Sequence, residues 1–317
     1  MKRSSQKTEL RIQRKEKVKQ KKEYREKMKE KTIKTFATVA MLLLIGSAAR
    51  AVEIKAGRYS VELKPDRTLS IRIGGRELYA LKSVETVLFK PDVTMQFGFF
   101  KLKKNGAKAG ALEFAMDAGG VTLERGPERA GSVNFIETDE GNLSVTVSVK
   151  DPAASANAVR MKFACAADDR FWGFGEQYNY IDLRGQTVPI WVQEQGVGRV
   201  KNSTFPPMGS FTDSYFPMPY FMDPAKGKGF LVTNPEYSVF NLCNKAADTW
   251  DVEVWNNAKV TFIVLPGPKP ADVVSQLTAE AGRPKATPPD WTMGGVWLAS
   301  QRGPEMIDKR VETARKA

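Results

Sequence analysis

Hydrophobic and polar residues alternate along much of the chain, which is the pattern of half-buried β-strands. The clearest run is LSVTVSV (143–149), where Leu or Val occupies every second position and Ser or Thr the positions between. Such a run predicts a strand with one face buried and the other in contact with water. RYSVEL (58–63) and TLSIRI (68–73) alternate in the same way around a turn that contains Pro65 and Asp66, and together they predict a β-hairpin.

Further strands are predicted in the second half of the chain. GFLVT, YSVFNL, WDVEVW and KVTFIVL follow one another between residues 229 and 265, with asparagine in the turns that separate them. Many short strands at such intervals are typical of an antiparallel β-sandwich. The sequence therefore predicts a mainly β fold for this part of the chain.

A helical period replaces the alternation after residue 266. PADVVSQLTAEAG (270–282) begins with Pro270, a residue favoured at helix N-termini, and ends at Gly282, which predicts a linker helix. The apolar residues expected on one face of this helix are Val273, Val274, Leu277 and Ala281.

A strand and a helix are predicted beyond this linker. ATPPDW (286–291) interrupts the chain, GGVWLAS (294–300) is typical of a buried strand, and PEMIDKRVETARKA (304–317) predicts a helix that begins at Pro304. A strand followed by a helix is half of a βαβ unit, and a buried parallel strand needs neighbours on both sides. We therefore expect a second domain of which only the start is present.

The charge of the chain is concentrated near its N-terminus. Residues 1–34 carry 15 Lys or Arg and 5 Asp or Glu, so 10 of the 13 net positive charges lie there. The remaining chain is nearly balanced, which argues against a nucleic-acid partner. From residue 28 the chain has the three regions of a secretory signal peptide: basic MKEKTIK, apolar TFATVAMLLLI, and GSAARA with its small residues. We expect cleavage after Ala51 and an exported, periplasmic or extracellular protein.

Residues 1–27 form a basic extension in front of this signal peptide (28–51), and two interpretations fit it. Either translation starts at Met28, or a charged disordered arm precedes the signal. The apolar run is shorter than the about 20 residues that cross a bilayer, so no stable membrane span is expected.

The chain contains no histidine and two cysteines. Without histidine a Ser-His-Asp or Cys-His relay cannot form, and the commonest metal ligand is missing. We therefore expect no cofactor and no metal, and any acid–base chemistry would use carboxylates, Lys or Tyr. Cys165 and Cys243 either form a disulfide bond or remain two buried thiols, and an oxidising compartment permits the bond.

Four segments follow one another along the chain: FWGFGEQ (171–177), YFPMPYFMD (215–223), the linker LTAEAGRPKATPPDW (277–291) and the strand GGVWLAS. In this order they resemble the N-terminal half of glycoside hydrolase family 31 enzymes. The segment DLRGQTVPIWVQEQGVGR (182–199), together with Gln301 after the strand, is similar to the sulfoquinovosidase branch of that family.

The resemblance implies a domain order and an activity. It implies a galactose-mutarotase-like antiparallel β-sandwich at 52–268, a linker helix and Pro-rich linker at 269–290, and the truncated first βα unit of a (β/α)8 barrel at 291–317. The implied activity is hydrolysis of α-glycosides, sulfoquinovosides among them. In the family the catalytic carboxylates come from later barrel strands, so no catalytic residue is expected in this chain, and the missing C-terminal barrel is its expected partner.

Four residues are candidates for substrate binding. In the resembled branch a glutamine at the position of Gln301 binds sugar at the barrel mouth, and a hydrogen bond at the strand end is the alternative. Glu194, Gln195 and Arg199 are the other candidates, in a loop that frames the active site in the family. Two roles fit Arg199: attraction of an anionic sugar, or an ion pair with Glu194. Glu176 and Glu194 are two nearby carboxylates, but the resemblance argues against a catalytic pair there.

The stretch 171–199 combines aromatic side chains with glycines. Gly173, Gly175 and Gly185 either let the backbone turn tightly against another surface or are ordinary loop glycines. The aromatic residues are expected to pack in the core or against the barrel, with one or two stacking on a sugar. Two other functions stay open: a stand-alone secreted carbohydrate-binding sandwich, and a module that binds another protein.

Overall fold

The computed structural model of the protein describes residues 52–96, 99–117, 119–150, 157–193, 211–294 and 303–316. Within these ranges the protein is mainly β, and its strands join into one large antiparallel sheet. The described residues fall into two compact units, one that ends at Leu277 and one that starts at Thr278. The prediction of a mainly β, antiparallel protein is confirmed.

The strands lie in the first unit and the helices follow them. The first strands are β1 (Val52–Ala56), β2 (Tyr59–Leu63), β3 (Leu69–Ile73), β4 (Arg76–Gln96), β5 (Phe99–Asp117), β6 (Gly120–Arg125), β7 (Glu128–Glu137) and β8 (Leu143–Val149). They are followed by β9 (Ala158–Ala164), β10 (Trp172–Gly175), β11 (Thr187–Ile190), β12 (Pro217–Asp223), β13 (Lys228–Val232), β14 (Ser238–Ala246), β15 (Thr249–Trp255) and β16 (Lys259–Leu265). The helices are α1 (Pro270–Ala281), α2 (Trp291–Gly294) and α3 (Pro304–Lys316).

The sheet is folded into two layers. One layer has the strand order β1-β2-β3-β4-β9-β15-β14-β11, and the other has the order β10-β12-β13-β16-β8-β7-β6-β5. Strand β5 belongs to both, because Leu112 still pairs with β4 whereas Glu113 already pairs with β6. A strand that passes from one layer to the other joins the two without a separate connection.

The main core lies between the two layers. Phe163 of β9 stacks on Trp250 of β15 with ring centroids 4.2 Å apart. From the opposite layer, Phe230 of β13 meets these rings edge-on at 5.3 and 5.0 Å, and Phe262 of β16 meets Phe163 at 5.7 Å. All four side chains are buried. Offset and edge-on aromatic contacts of this kind add about 0.5–1.5 kcal/mol each beyond the area they bury, so they hold the layers face to face.

The strands predicted from alternation are confirmed. In β8 the Leu and Val side chains are buried and the Ser and Thr side chains are half-buried. Strands β2 and β3 pair as a hairpin. Its turn is closed by Asp66, whose carboxylate accepts a hydrogen bond from the Thr68 amide at 3.0 Å, and by Arg67, whose φ is 65°. The four runs between 229 and 265 are strands β13 to β16.

Helix α1 begins and ends where the sequence predicts, but its buried face is narrower than expected. Asp272 accepts a hydrogen bond from the Lys269 amide at 3.0 Å, and Gly282 follows the helix with φ of 93°. Val273 and Leu277 are buried, whereas Val274 is 44% exposed and Ala281 is exposed. The four apolar residues lie on one face of the helix, but only Val273 and Leu277 are covered, because the sheet surface accepts only the row formed by residues four apart.

The second unit differs from the expectation at one point. Gly294, predicted as the start of a strand, ends the short helix α2, in which the Thr292 and Met293 amides donate to the carbonyls of Pro289 and Asp290. The rest of the predicted strand, 295–300, lies outside the described residues. Helix α3 begins at Pro304, as predicted, and none of its described residues is buried.

Candidate functional site

Strand β10 brings two glycines into close contact with neighbouring backbone. Gly173 has φ of 146° and Gly175 has φ of 81°. Residues that carry a Cβ rarely adopt such positive φ angles. A Cβ on Gly173 would lie 2.6 Å from the Tyr220 carbonyl oxygen, and one on Gly175 would lie 1.8 Å from the Phe216 carbonyl oxygen. The close approach expected from the sequence is confirmed at these two positions. Gly185 also has φ of 81°, but open space surrounds it, so it is an ordinary turn glycine.

The aromatic residues of this stretch divide between the core and the surface. Phe171 and Phe174 are buried, and the Phe174 ring contacts those of Phe221 and Phe240 at 5.7 and 5.1 Å. Tyr178 and Tyr180, by contrast, are exposed. Part of the stretch therefore packs in the core and part lies at the surface.

Among the described residues, two loops carry most of the exposed aromatic side chains. We call residues 176–182 and 211–216 the aromatic loop pair. Tyr178 and Tyr180 are 53% and 56% exposed in the first loop, and Phe216 is 62% exposed in the second. Asn179 donates to the Phe211 carbonyl at 2.6 Å, and the Tyr180 and Phe211 rings lie 5.2 Å apart. The two loops therefore form one surface rather than two separate ones.

Of the two carboxylates singled out in this stretch, Glu176 is described. It accepts a hydrogen bond from the Tyr178 hydroxyl, and this bond, together with slight desolvation and the Glu176 charge, raises the pKa of Tyr178. Glu176 therefore has a tyrosine as its partner. Glu194 lies outside the described residues, as do the other predicted substrate contacts Gln195, Arg199 and Gln301.

Three of these candidates belong to the range 194–210. The described residues on either side of this range contact each other. Val192 forms a β-bridge with Ser214, and the Gln193 amide donates to the Ser214 carbonyl at 3.0 Å. The Gln193 side chain also accepts a hydrogen bond from the Phe100 amide at 3.0 Å. Residues 192–193 are thus joined to Ser214 of the aromatic loop pair and to Phe100 of β5.

A depression of about 550 Å³ lies on the outer face of the sheet, opposite the main core. Val188 of β11 and Phe240 of β14 point into the core, so their neighbours Thr187, Pro189 and Val239 point outward. The depression is lined by Gly185, Gln186, Thr187, Pro189, Phe211, Thr212, Tyr237, Val239 and Asn244. The sequence does not reveal this depression, because its lining residues come from three separate segments and form no motif.

A charged network covers another part of this outer face. Glu253 of β15 accepts hydrogen bonds from Lys104 of β5 at 2.8 Å and from Arg160 of β9 at 2.7 Å. Arg160 also donates to Glu85 of β4 at 2.8 Å. Burial raises the pKa of Glu253, but the hydrogen bond from Lys104 and the charges of Lys104 and Arg160 outweigh it, and the pKa is lowered. Burial raises the pKa of the neighbouring Asp251.

Cys165 and Cys243 form a disulfide bond, so of the two alternatives left open by the sequence the structure has the bond. Arg184 lies beside it. Its guanidinium donates to Cys165 Sγ at 2.9 Å, to the Ala166 carbonyl at 2.9 Å and to the Ala247 carbonyl at 3.0 Å. The bond and the arginine together fasten the start of the loop after β9 to the strands β14 and β15.

None of the helices in the described ranges is long and apolar enough to cross a bilayer. The predicted signal peptide at 28–51 lies outside the described residues.

Comparison with known proteins shows similarity to glycoside hydrolases, although no family model matches the chain. Two of the similar proteins are sulfoquinovosidases. The chain is 28% identical over 239 residues to that of Escherichia coli strain K12, and 30% identical over 233 residues to that of Agrobacterium fabrum strain C58. These alignments cover 71% and 70% of this chain and 34% and 33% of the relatives, so the chain spans about a third of their length.

A solved structure matches the fold. It is a GH31 family sulfoquinovosidase from E. rectale in complex with an aza-sugar inhibitor, with a TM-score of 0.62 and 21% identity over 80% of this chain and 39% of that one. The chain is therefore homologous to family 31 sulfoquinovosidases over most of its length, and the resemblance inferred from its motifs is confirmed.

Proposed function

We propose that the chain is the N-terminal part of an exported family 31 glycosidase that hydrolyses α-glycosides, with sulfoquinovosides as its preferred substrates. The observation that carries this proposal is the 28% and 30% identity to two sulfoquinovosidases over about 70% of the chain. The chain alone is inactive in this proposal, because the family's catalytic carboxylates lie in later barrel strands.

The domain order of the family is part of the proposal. Residues 52–268 act as a galactose-mutarotase-like sandwich, 269–290 as the linker, and 291–317 as the start of a (β/α)8 barrel. The two-layer antiparallel sheet, the helix at 270–281 and the helix at 304–316 support these assignments in turn. The disulfide bond supports export, because such bonds persist in oxidising compartments.

The proposed substrate contacts are Gln301, Glu194, Gln195 and Arg199. The similarity of segment 182–199 to the sulfoquinovosidase branch supports a role for the last three. In the same proposal the aromatic loop pair packs against the barrel. Its exposed tyrosines also favour a second candidate function, a secreted module that binds carbohydrate or protein without a barrel.

A chimera separates the two candidates. Residues 52–290 of this chain replace the corresponding part of the E. coli sulfoquinovosidase, and release of 4-nitrophenol is measured from the α-sulfoquinovoside and the α-glucoside. We expect the chimera to hydrolyse the sulfoquinovoside faster than the glucoside, and the unmodified chain to hydrolyse neither.

Two outcomes would contradict the proposal. Hydrolysis by the unmodified chain above the buffer rate would show that the catalytic groups lie within it. A chimera with normal circular dichroism and cooperative unfolding but no activity would show that this sandwich does not serve a sulfoquinovosidase barrel, and would favour the separate binding module.

A further inference from the structure

The depression on the outer face of β11 and β14 has the chemistry of a small-molecule site. Its volume of about 550 Å³ falls within the range of about 300–1,000 Å³ that is common for ligand pockets. Its polar lining residues are Gln186, Thr187, Thr212, Tyr237 and Asn244. None of the lining residues carries a formal charge, although charged side chains are frequent elsewhere on this face.

Two of the polar groups are available to a ligand. In the described part of the chain, the structure shows no hydrogen bond for the Gln186 amide side chain or for the Tyr237 hydroxyl. The others are already fixed: Asn244 donates to Thr187 Oγ1 at 2.5 Å, and Thr212 donates to the Thr187 carbonyl at 2.7 Å. The depression therefore offers the Gln186 amide and the Tyr237 hydroxyl to a ligand, and hydrogen bonds hold its other polar lining residues in place.

Aromatic rings complete the lining. The Tyr237 ring meets those of Trp191 and Trp255 edge-on at 5.7 and 4.9 Å, and the Phe211 ring lies 5.2 Å from that of Tyr180. Rings that are held by their neighbours lose little conformational entropy when a ligand packs on them. Burial, together with the charges of Asp213 and Glu253, raises the pKa of Tyr237 to about 12, so its hydroxyl stays neutral at physiological pH.

We propose that this depression binds an uncharged sugar. Aromatic rings beside amide and hydroxyl groups match the alternation of C–H faces and hydroxyl edges on a hexose ring. Anionic sugars are usually held by Arg or Lys, which pair with sulfonate, phosphate or carboxylate groups, and neither residue lines the depression. The inference does not depend on the proposed glycosidase activity, since it concerns binding by the described part of this chain.

A pair of probes that differ in one group tests the proposal. Methyl α-D-glucopyranoside and methyl α-sulfoquinovoside are identical except at C6, where the second carries a sulfonate. Each is titrated into the full chain and followed by saturation-transfer difference NMR. We expect saturable binding of the glucoside and at least fivefold weaker binding of the sulfoquinovoside. Equal affinity for the two, or no saturable binding of the glucoside, would overturn the proposal.

Matched variants locate the site. Gln186→Ala removes the free amide, and Tyr237→Phe removes the hydroxyl but keeps the ring between Trp191 and Trp255. We expect each to weaken glucoside binding at least fivefold without changing the unfolding temperature. Asn105→Ala, on the exposed arm of β5, is the control and should bind as the unmodified chain does. Unchanged binding in both Gln186→Ala and Tyr237→Phe would place the sugar elsewhere and refute the assignment.

Discussion

Gly175 and Gly185 have the same backbone conformation and different surroundings. Both have φ of 81°, which costs a residue with a Cβ about 1 kcal/mol or more. A Cβ on Gly175 would lie 1.8 Å from the Phe216 carbonyl oxygen, whereas no atom outside the neighbouring residues lies within 4 Å of a Cβ on Gly185. Glycine serves a tight approach between two backbones at one position and a turn at the other.

We expect Gly175→Ala to lower the free energy of unfolding more than Gly185→Ala does. The variant at 185 loses about 1 kcal/mol for its backbone conformation alone. The variant at 175 loses about 3 kcal/mol or more, because β10 must also move away from residue 216. Urea denaturation followed by tryptophan fluorescence measures both, and equal losses would show that the two backbones are not in contact.

Among the elements, the strands β5, β9 and β15 are linked on their outer face by Glu253. Its carboxylate accepts hydrogen bonds from Lys104, Arg160 and the Trp255 indole, the last at 2.7 Å. Because the pKa of Glu253 is lower in the folded protein than in the unfolded chain, its stabilising contribution is complete above the unfolded value. That contribution is lost as the pH falls through the folded pKa.

We expect Glu253→Gln to be destabilised by about 3 kcal/mol at pH 7, because Lys104 and Arg160 lose a buried counter-charge. The difference from the unmodified protein should shrink as the pH is lowered below the unfolded pKa of a glutamate. Urea denaturation at a series of pH values measures it. Glu128→Gln, at an exposed position of β7, is the control and should follow the unmodified protein at every pH. A pH-independent loss in Glu253→Gln would contradict the electrostatic explanation.

Helix α1 shows what the sequence can predict about an element. Its ends were predictable because Pro270 and Gly282 are local signals, which act through the backbone conformation of single residues. Its buried face was only partly predictable. Val273 and Leu277 pack against Ile263 and Leu265 of β16, so the sheet decides which side of the helix is covered, and Val274 falls outside that row.

In the whole molecule, seven of the sixteen strands in the described ranges were predicted from alternation, and their order was not predictable. Alternation marks a strand locally, whereas β9 finds its partners in β4 and β15, far away in the sequence. The depression on the outer face was missed for the same reason, since it joins residues near 186, 212 and 237. The family resemblance identified the relatives because it rests on short motifs that a sequence shows directly.

The pairing of Cys165 with Cys243 is a second feature of the whole molecule that the sequence left open. The two residues are 78 positions apart, and the bond closes a loop that contains β10 to β13 and the aromatic loop pair. A cross-link over such a distance removes conformational freedom mainly from the unfolded chain, and the loop-entropy relation gives about 4 kcal/mol. The bond therefore stabilises the entire sandwich rather than one loop.

We expect the oxidised protein to unfold at a higher urea concentration than the Cys165→Ala/Cys243→Ala variant, with a difference of about 2–4 kcal/mol in the free energy of unfolding. Dithiothreitol should lower the stability of the unmodified protein to that of the variant and leave the variant unchanged, which makes the variant its own control for reductant effects. Thiol titration of the denatured, unreduced protein should give no free cysteine. Two titratable thiols after purification under oxidising conditions, or equal stability with and without reductant, would contradict the bond and would also weaken the argument for export that rests on it.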